Sequence, residues 1–373
     1  MSGPLTCLVT IHGIGFEEPP DDGQGMPGYA DALHSMLREV IPGLGDDPER
    51  GHGAVYVAGP SPTSMDRLDP SRPLATPGAH CAHVALVYTC FEESMPDPLG
   101  LFAIILWSVR YARSYITARG AVQMLVGTLQ SLRRKGSPGA TSYPGSLRLR
   151  DEAQRRQLRN RMRRHPRRRE PNRRPSGPFS IVWQVSQDVG GYVARHKYRE
   201  RVRSFVEAVL TSLSCREDVR AIVLNTHSNG TVVGFDVLSD LDPSTDLKIR
   251  GLVTAGSPLR KYADLLGWGT DAGRLCPRRW INVWDRRDPV ADSLQPPVTW
   301  RRGQPHTGGP GLFHRWSPAE GELGPVTVTD RMVDNVQDAR PGGGGLRSHD
   351  YWANPGFCQI LADLHDEVER ESE

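Results

Sequence analysis

The sequence predicts an α/β fold with a doubly wound, mostly parallel sheet that carries a large helical and basic insertion. Short apolar runs typical of buried strands alternate with segments whose apolar residues recur at helical spacing. Strands that alternate with helices usually form a parallel sheet covered on both faces. The chain has 373 residues, enough for one large domain or two ordinary ones.

The first part of the chain predicts three strands and one helix. Leu5–Ile11 and His83–Cys90 are apolar, β-favouring runs, whereas Tyr29–Val40 has the apolar spacing of one helix face. Residues 42–80 are rich in proline and glycine, so we expect at most the short strand Ala54–Ala58 there.

The last part of the chain repeats the alternation of strand and helix. Its predicted helices are Tyr192–Leu213, Thr231–Leu241 and Phe357–Glu369, and its predicted strands are Val219–Leu224, Ile249–Thr254 and Trp280–Trp284. We therefore expect one core formed by residues 1–91 and 181–373.

The middle of the chain has a different composition. Residues 92–132 are apolar and aromatic at roughly helical spacing, which predicts a helical cap. Residues 133–180 predict a flexible arm, because Arg133–Arg174 carries 16 Lys/Arg against 3 Asp/Glu in a chain of net charge +3. The chain therefore combines a basic segment with an acidic body.

Ser228 stands between a strand and a helix. An apolar run leads into Thr226-His227-Ser228-Asn229-Gly230, and a helical pattern follows at once. This pattern is typical of a tight turn that presents a serine hydroxyl at the carboxyl end of a buried strand. The alternative is a small residue that merely permits the turn. A nucleophilic serine needs a base, and the base needs an orienting acid.

The acid is predicted to be Asp288. It follows the strand Trp280–Trp284, so its side chain should lie at the carboxyl edge of the sheet with Ser228. Asp285 and Asp292 are alternatives on the same loop, and an aspartate before a proline also occurs as a simple turn residue.

The base is predicted to be His349, in the loop before the last helix. His306 and His314 are alternatives in a Pro- and Gly-rich loop. His12 and His227 lie beside other motifs, and we expect them to shape or pack the site rather than to react.

Two backbone N–H groups should stabilise the oxyanion. Asn229, the residue after the nucleophile, provides one. The turn His12-Gly13-Ile14-Gly15 provides the other, and Ile14 is the expected donor.

Five motifs occur in order at predicted strand ends or before the last helix: Ile11–Gly15, Thr226–Gly230, Gly256–Leu259, Asp285–Val290 and Ser348–Trp352. This set resembles the α/β-hydrolase superfamily, most closely its compact bacterial lipase/esterase-like serine hydrolases. The resemblance implies a Ser228–His349–Asp288 triad with Ile14 and Asn229 as the oxyanion donors. One departure is Thr226, which stands where the family's elbow begins with glycine.

The implied reaction is hydrolysis of a carboxylic ester through an acyl-enzyme. The apolar insertion favours small-molecule or lipid acyl esters, while thioester hydrolysis and acyl transfer use equivalent chemistry. No metal or organic cofactor is expected. The six cysteines are scattered without the spacing of a metal site. The alternative function is an interaction protein of hydrolase fold with little turnover.

An anionic membrane surface is a candidate partner through residues 99–175. The apolar stretch Leu99–Val109 is too short to span a bilayer, but it precedes the basic arm, as in interfacial anchors. Nucleic acid is disfavoured because few aromatic residues interleave the arginines. With no signal peptide pattern, the sequence predicts a cytoplasmic protein, peripheral at the membrane if the arm binds there. The oligomeric state stays open.

Overall fold

The computed structural model describes the parts of the chain that form the sheet and its flanking helices. The described residues are 3–13, 19–21, 25–59, 62–88, 192, 196–241, 247–260, 279–288, 290–294, 314–317, 322–325, 328–336 and 348–372. The predicted cap (92–132), the predicted arm (133–180) and Ile14 lie outside these residues.

An eight-stranded sheet forms the centre of the described structure. Its strands are β1 (Leu5–Ile11), β2 (Leu44–Gly45), β3 (Val55–Ala58), β4 (Cys81–Val87), β5 (Val219–His227), β6 (Ile249–Ala255), β7 (Arg279–Trp284) and β10 (Val328–Met332). Their order is β10-β7-β6-β5-β1-β4, with β2 and β3 both paired to β4, and every pair is parallel. The prediction of an α/β fold on a mostly parallel sheet is confirmed.

Helices connect these strands, and a separate hairpin lies outside the sheet. The helices are α1 (Asp31–Val40), α2 (Pro62–Met65), α3 (His196–Cys215), α4 (Asn229–Asp240) and α5 (Pro355–Ser372), and a 3₁₀ turn covers Asp66–Leu68. The hairpin consists of β8 (His314–Ser317) and β9 (Glu322–Pro325), which pair antiparallel.

The apolar side chains of the sheet belong to two separate buried clusters. Cys7, Val9 and Ile11 of β1 pack with residues of α3 and α4 in one cluster. Leu8 of β1 belongs to the other cluster, with residues of α1 and α5. Alternate residues of a strand face opposite sides of a sheet, so β1 is buried on both faces.

The strand order places the predicted site motifs at one edge of the sheet. β5 lies between β1 and β6, and β7 is the next strand beyond β6. Because parallel strands share the same carboxyl edge, the residues after β1, β5, β6 and β7 lie close together.

Two strands of the sheet and the separate hairpin were not predicted. Residues 42–80 contain β2 in addition to the predicted short strand. The sequence patterns predicted neither β10 nor the hairpin. β10 includes the polar residues Asp330 and Arg331 and is only partly buried. Asp330 accepts hydrogen bonds from the Asn282 amide and the Ser293 hydroxyl, so tertiary contacts replace an apolar pattern.

The predicted helix at Tyr29 begins two residues later, at Asp31. Tyr29 instead donates its hydroxyl to the carbonyl oxygens of Thr10 and Leu86 at 3.2 and 2.8 Å. This residue therefore ties the entry to α1 to two neighbouring strands.

The described cysteines are unpaired thiols. Cys7, Cys81 and Cys358 are buried and Cys215 is exposed. Burial raises the pKa of both the Cys7 and the Cys358 thiols to about 12. In this part of the chain, no helix combines the length and the apolar composition needed to cross a membrane.

Candidate active site

Ser228 occupies a strained backbone conformation at the turn from β5 to α4. Its φ and ψ angles are 55° and −127°, and it is the single non-glycine residue with positive φ in the described part of the chain. Non-glycine residues rarely adopt a backbone conformation with positive φ, and such strain is concentrated at functional sites. Its N–H donates to the carbonyl of Ala255 at the end of β6, at 2.9 Å. The neighbouring strand therefore holds the turn.

Gly13, the second residue after β1, packs directly against the serine. A Cβ atom at this position would lie 2.4 Å from Ser228 Cβ and 3.0 Å from its Oγ. Only glycine allows this approach. The loop after β1 and the serine turn are therefore in contact, as an oxyanion site between them requires.

Thr226, the residue two positions before Ser228, is accommodated by its surroundings. Its hydroxyl donates to the Val253 carbonyl on β6 at 2.8 Å. Its methyl group faces Gly234 on α4, where an added Cβ would come within 2.9 Å. Because Gly234 has no side chain, the methyl group of Thr226 fits against α4.

Asp288 and His349 form a buried pair. His349 Nδ1 donates to Asp288 Oδ2 at 2.7 Å, and the side chain of Asp288 is fully buried. Oδ2 also accepts from the Tyr351 hydroxyl, and Oδ1 accepts from the Val290 N–H, each at 2.8 Å. Burial alone would raise the pKa of Asp288, but the imidazole of His349 and these hydrogen bonds hold the pKa below its ordinary value. Asp288 is therefore an anion.

The hydrogen bond to Asp288 sets the tautomer of His349. A carboxylate can only accept, so Nδ1 carries the proton and Nε2 presents a lone pair. Nε2 is buried and makes no hydrogen bond to any described residue, Ser228 included. In ligand-free sites such bonds are often long and shorten when substrate binds. Nε2 is thus the free basic position of the pair.

The rival aspartates have other partners. Asp285 accepts from the N–H groups of Arg287 and Asn335 at 2.8 and 2.7 Å, so it stabilises its loop. Asp292 contacts Ser257 and Asn282 through its main chain. Asp288 is the predicted acid that the structure brings to His349. Of the rival bases, His306 and the side chain of His314 lie outside the described residues.

Two further residues support the pair: Tyr351, to which the sequence assigned no role, and His227, which was expected to pack. Tyr351 accepts from the Asp285 N–H and donates to Asp288, so its hydroxyl joins both ends of the acid loop. Burial is the main cause, and the charge of Asp288 the second, of a Tyr351 pKa well above its ordinary value. The hydroxyl therefore keeps its proton and acts as a donor. The second residue is His227, whose Nε2 lies 3.0 Å from the His349 carbonyl oxygen. The aromatic residues of Ser348–Trp352 were the only sequence signal for Tyr351.

His12 shapes the loop after β1, as expected. Its ring stacks on Tyr88 at a centroid distance of 4.1 Å, and its Nε2 accepts the Tyr88 N–H at 3.2 Å. The Tyr88 hydroxyl donates in turn to the carbonyl oxygens of His12 and Gly13. Asn229 opens α4 directly after Ser228, at the position assigned to one oxyanion donor. Ile14, the other predicted donor, lies outside the described residues.

Replacing Gly256 with alanine should displace His349 from its position beside Asp288. Gly256 has a φ of +62°, and a Cβ there would lie 2.7 Å from His349 Cε1 and 2.8 Å from the Tyr351 ring. The imidazole must move, and we expect a loss of about 10²-fold in any turnover that depends on His349, since misplacements near 1 Å have effects of this order. Steady-state kinetics on the purified variant measure it.

The matched control is Gly251→Ala in β6. Its Cβ would meet Leu364 of α5 at 3.0 Å, away from His349. This control should lose stability and keep its turnover. Equal turnover in the two variants would contradict the placement of His349.

The buried histidines predict loss of stability in mild acid. Burial lowers the pKa of His12 and of His227 to about 3, and it lowers the pKa of His83 as well. The unfolded chain binds protons at these rings below about pH 6.5, whereas the folded protein does not. The free energy of unfolding should therefore fall as the pH drops from about 6.5 toward 3, by roughly 1 kcal/mol per pH unit for each ring.

Urea unfolding at a series of pH values measures this loss. A free energy of unfolding that stays constant between about pH 7.5 and about pH 5 would contradict the neutral, buried state of these rings.

Among the described residues, no group of three or more His, Cys, Asp or Glu side chains could hold a metal ion. Comparisons of the chain with protein-family models, with curated proteins and with solved structures found no match. The functional conclusion therefore depends on the geometry of the site and on the sequence motifs.

Proposed function

We propose that the protein is a serine hydrolase of the α/β-hydrolase type that cleaves carboxylic esters through an acyl-enzyme. The observation that carries this proposal is the buried Asp288–His349 pair, whose loop contacts His227 directly before a serine in a strained turn. Strain at a turn and burial of a carboxylate both cost stability, and catalysis is a function that accounts for the two together.

Ser228 is the nucleophile in this proposal. His349 Nε2 takes the hydroxyl proton as the oxygen attacks the ester carbonyl, and the Asp288 anion stabilises the imidazolium that forms. Because the lowered pKa keeps Asp288 ionised, it orients His349 without taking the proton. His349 then protonates the leaving alkoxide. In the second half, it activates the water that releases the acid and restores the serine.

The oxyanion is held by the N–H groups of Asn229 and Ile14. Asn229 follows the nucleophile at the start of α4, and its position supports the assignment. Gly13 touches Ser228, so the loop that continues into Ile14 begins next to the reacting oxygen.

The remaining parts of the proposal concern the surroundings of the site. The two apolar clusters on opposite faces of the sheet support a doubly wound core of residues 1–91 and 181–373. Residues 92–132 would form a cap over an acyl pocket, and residues 133–180 a basic arm that brings a cytoplasmic enzyme to anionic membranes. Lipid and other acyl esters are the favoured substrates, with thioester hydrolysis and acyl transfer as equivalent chemistry.

A fluorophosphonate probe tests the proposal directly, because it labels only an activated serine. The folded protein should be labelled and the heat-denatured protein should not. Turnover of p-nitrophenyl esters of increasing acyl length then describes the pocket. A folded protein without labelling would overturn the proposal and favour an interaction protein of hydrolase fold.

A further inference from the structure

His227 links the serine turn to the loop of the base. It is the last residue of β5, directly before Ser228, and its Nε2 lies 3.0 Å from the main-chain oxygen of His349. The two residues are 122 positions apart in the chain. A single hydrogen bond therefore joins the backbone of the proposed base to the neighbour of the proposed nucleophile.

The partner atom sets the tautomer of His227. A carbonyl oxygen can only accept, so Nε2 carries the proton and Nδ1 does not. Nδ1 is buried and makes no hydrogen bond to any described residue. Burial, and to a smaller extent electrostatic repulsion from the nearby His349, lowers the pKa of His227 to about 3. The ring is therefore neutral. A neutral ring avoids a second positive charge beside His349 when His349 becomes an imidazolium.

The ring of His227 also supports the base loop by packing. Its centroid lies 4.7 Å from the His349 ring and 5.0 Å from that of Trp352. A further contact to this loop comes from the Asn335 amide, which donates to the Ser348 carbonyl at 2.5 Å. Asp288 holds the side chain of His349 and His227 holds its main chain, whereas Asn335 holds the main chain of the preceding residue, Ser348.

We propose that His227 is a positioning residue for the reaction, because its Nε2–H fixes the backbone of His349 at a set distance from Ser228. This inference rests on the proposed function. The Asp288 bond allows the imidazole to swing about the carboxylate, and the backbone bond limits that motion. With both bonds in place, His349 is held at two points, its Nδ1 and its main-chain oxygen.

Two substitutions separate the hydrogen bond from the packing. His227→Leu fills the site without a donor, while the amide of His227→Gln places an N–H near the position of Nε2. We expect His227→Leu to lower kcat by about 10- to 100-fold with KM unchanged, because alignment is lost and substrate contacts are not. His227→Gln should recover most of that loss.

His83→Leu is the matched control for stability. His83 is also buried and neutral, but its ring bonds to Thr10 and to His34, away from the site. It should lower Tm to a similar extent and leave kcat at the wild-type value. Equal losses of kcat in His83→Leu and His227→Leu would overturn the proposal, since general destabilisation would then explain both.

The ring ¹⁵N resonances of His349 provide a readout that does not need turnover. His227→Leu should shift these resonances and weaken the signal of the Nδ1 proton, and His227→Gln should retain the wild-type spectrum. If these changes occur in a protein that no fluorophosphonate labels, His227 does hold His349 in place, but the hydrolase proposal fails and the role in the reaction fails with it. If the protein is labelled but His227→Leu matches wild type in kcat and in the His349 signals, the positioning role is wrong.

Discussion

Replacing Ser228 with alanine should abolish fluorophosphonate labelling and lower ester turnover by about 10⁴- to 10⁶-fold, as removal of a triad nucleophile does. The reason is that no other described hydroxyl combines this backbone conformation with the nearby base. Ser228 has a φ of 55°, and its turn is held by the Ala255 carbonyl on the adjacent strand. Alanine keeps both the main-chain N–H that bonds to Ala255 and the backbone conformation of the turn, so the variant should fold. Circular dichroism and thermal melting would check the fold.

Ser257→Ala is the control for the serine assignment. Ser257 is a fully buried serine at the end of the next strand, and its hydroxyl lies 2.9 Å from Thr231 Oγ1. Because that hydroxyl accepts the Leu259 N–H and contacts no base, labelling should survive its removal. Labelling that persists in Ser228→Ala and disappears in Ser257→Ala would move the nucleophile to position 257.

Asp288→Asn should lower turnover by about 10⁴-fold, because it imposes the wrong tautomer on His349. If the amide oxygen keeps the bond to the Val290 N–H, the amide nitrogen faces His349 Nδ1. The imidazole must then accept at Nδ1 and carry its proton on Nε2, where it cannot take the proton of Ser228. The kcat for p-nitrophenyl esters, measured beside Tm, gives the size of the effect.

Asp285→Asn tests whether the loss belongs to position 288 alone. The Asp285 carboxylate accepts two main-chain N–H groups and contacts no imidazole. We expect it to lower the stability of the loop and to change kcat by less than about tenfold. Unchanged turnover in Asp288→Asn would transfer the orienting role to Asp285 or Asp292.

Local patterns were sufficient for the central strands. β1 was predicted at the bounds that the structure has, because Leu5–Ile11 is buried along its whole length and consists of apolar residues interrupted only by two β-branched threonines. β5 extends three residues beyond its prediction, through Asn225, Thr226 and His227. These residues are polar but buried, since Asn225 donates to Thr10 and Thr226 to Val253. Hydropathy alone cannot anticipate partners on other strands.

The positions of the site residues along the chain were also accessible from the sequence. A serine at a strand-to-helix turn, an acid after a later strand and a histidine before the last helix are each defined by their neighbours in sequence. The short range of these signals explains why Ser228, Asp288 and His349 could be named before any geometry was known.

The sequence by itself therefore determined the class of fold and the three candidate site residues. The pairing of Asp288 with His349, the exclusion of Asp285 as its partner and the bond from His227 came from tertiary contacts between loops 61 to 122 residues apart. A hydrogen bond depends on distances of a few tenths of an ångström between such loops, and periodicity in the chain reports only which face or end of an element a residue occupies.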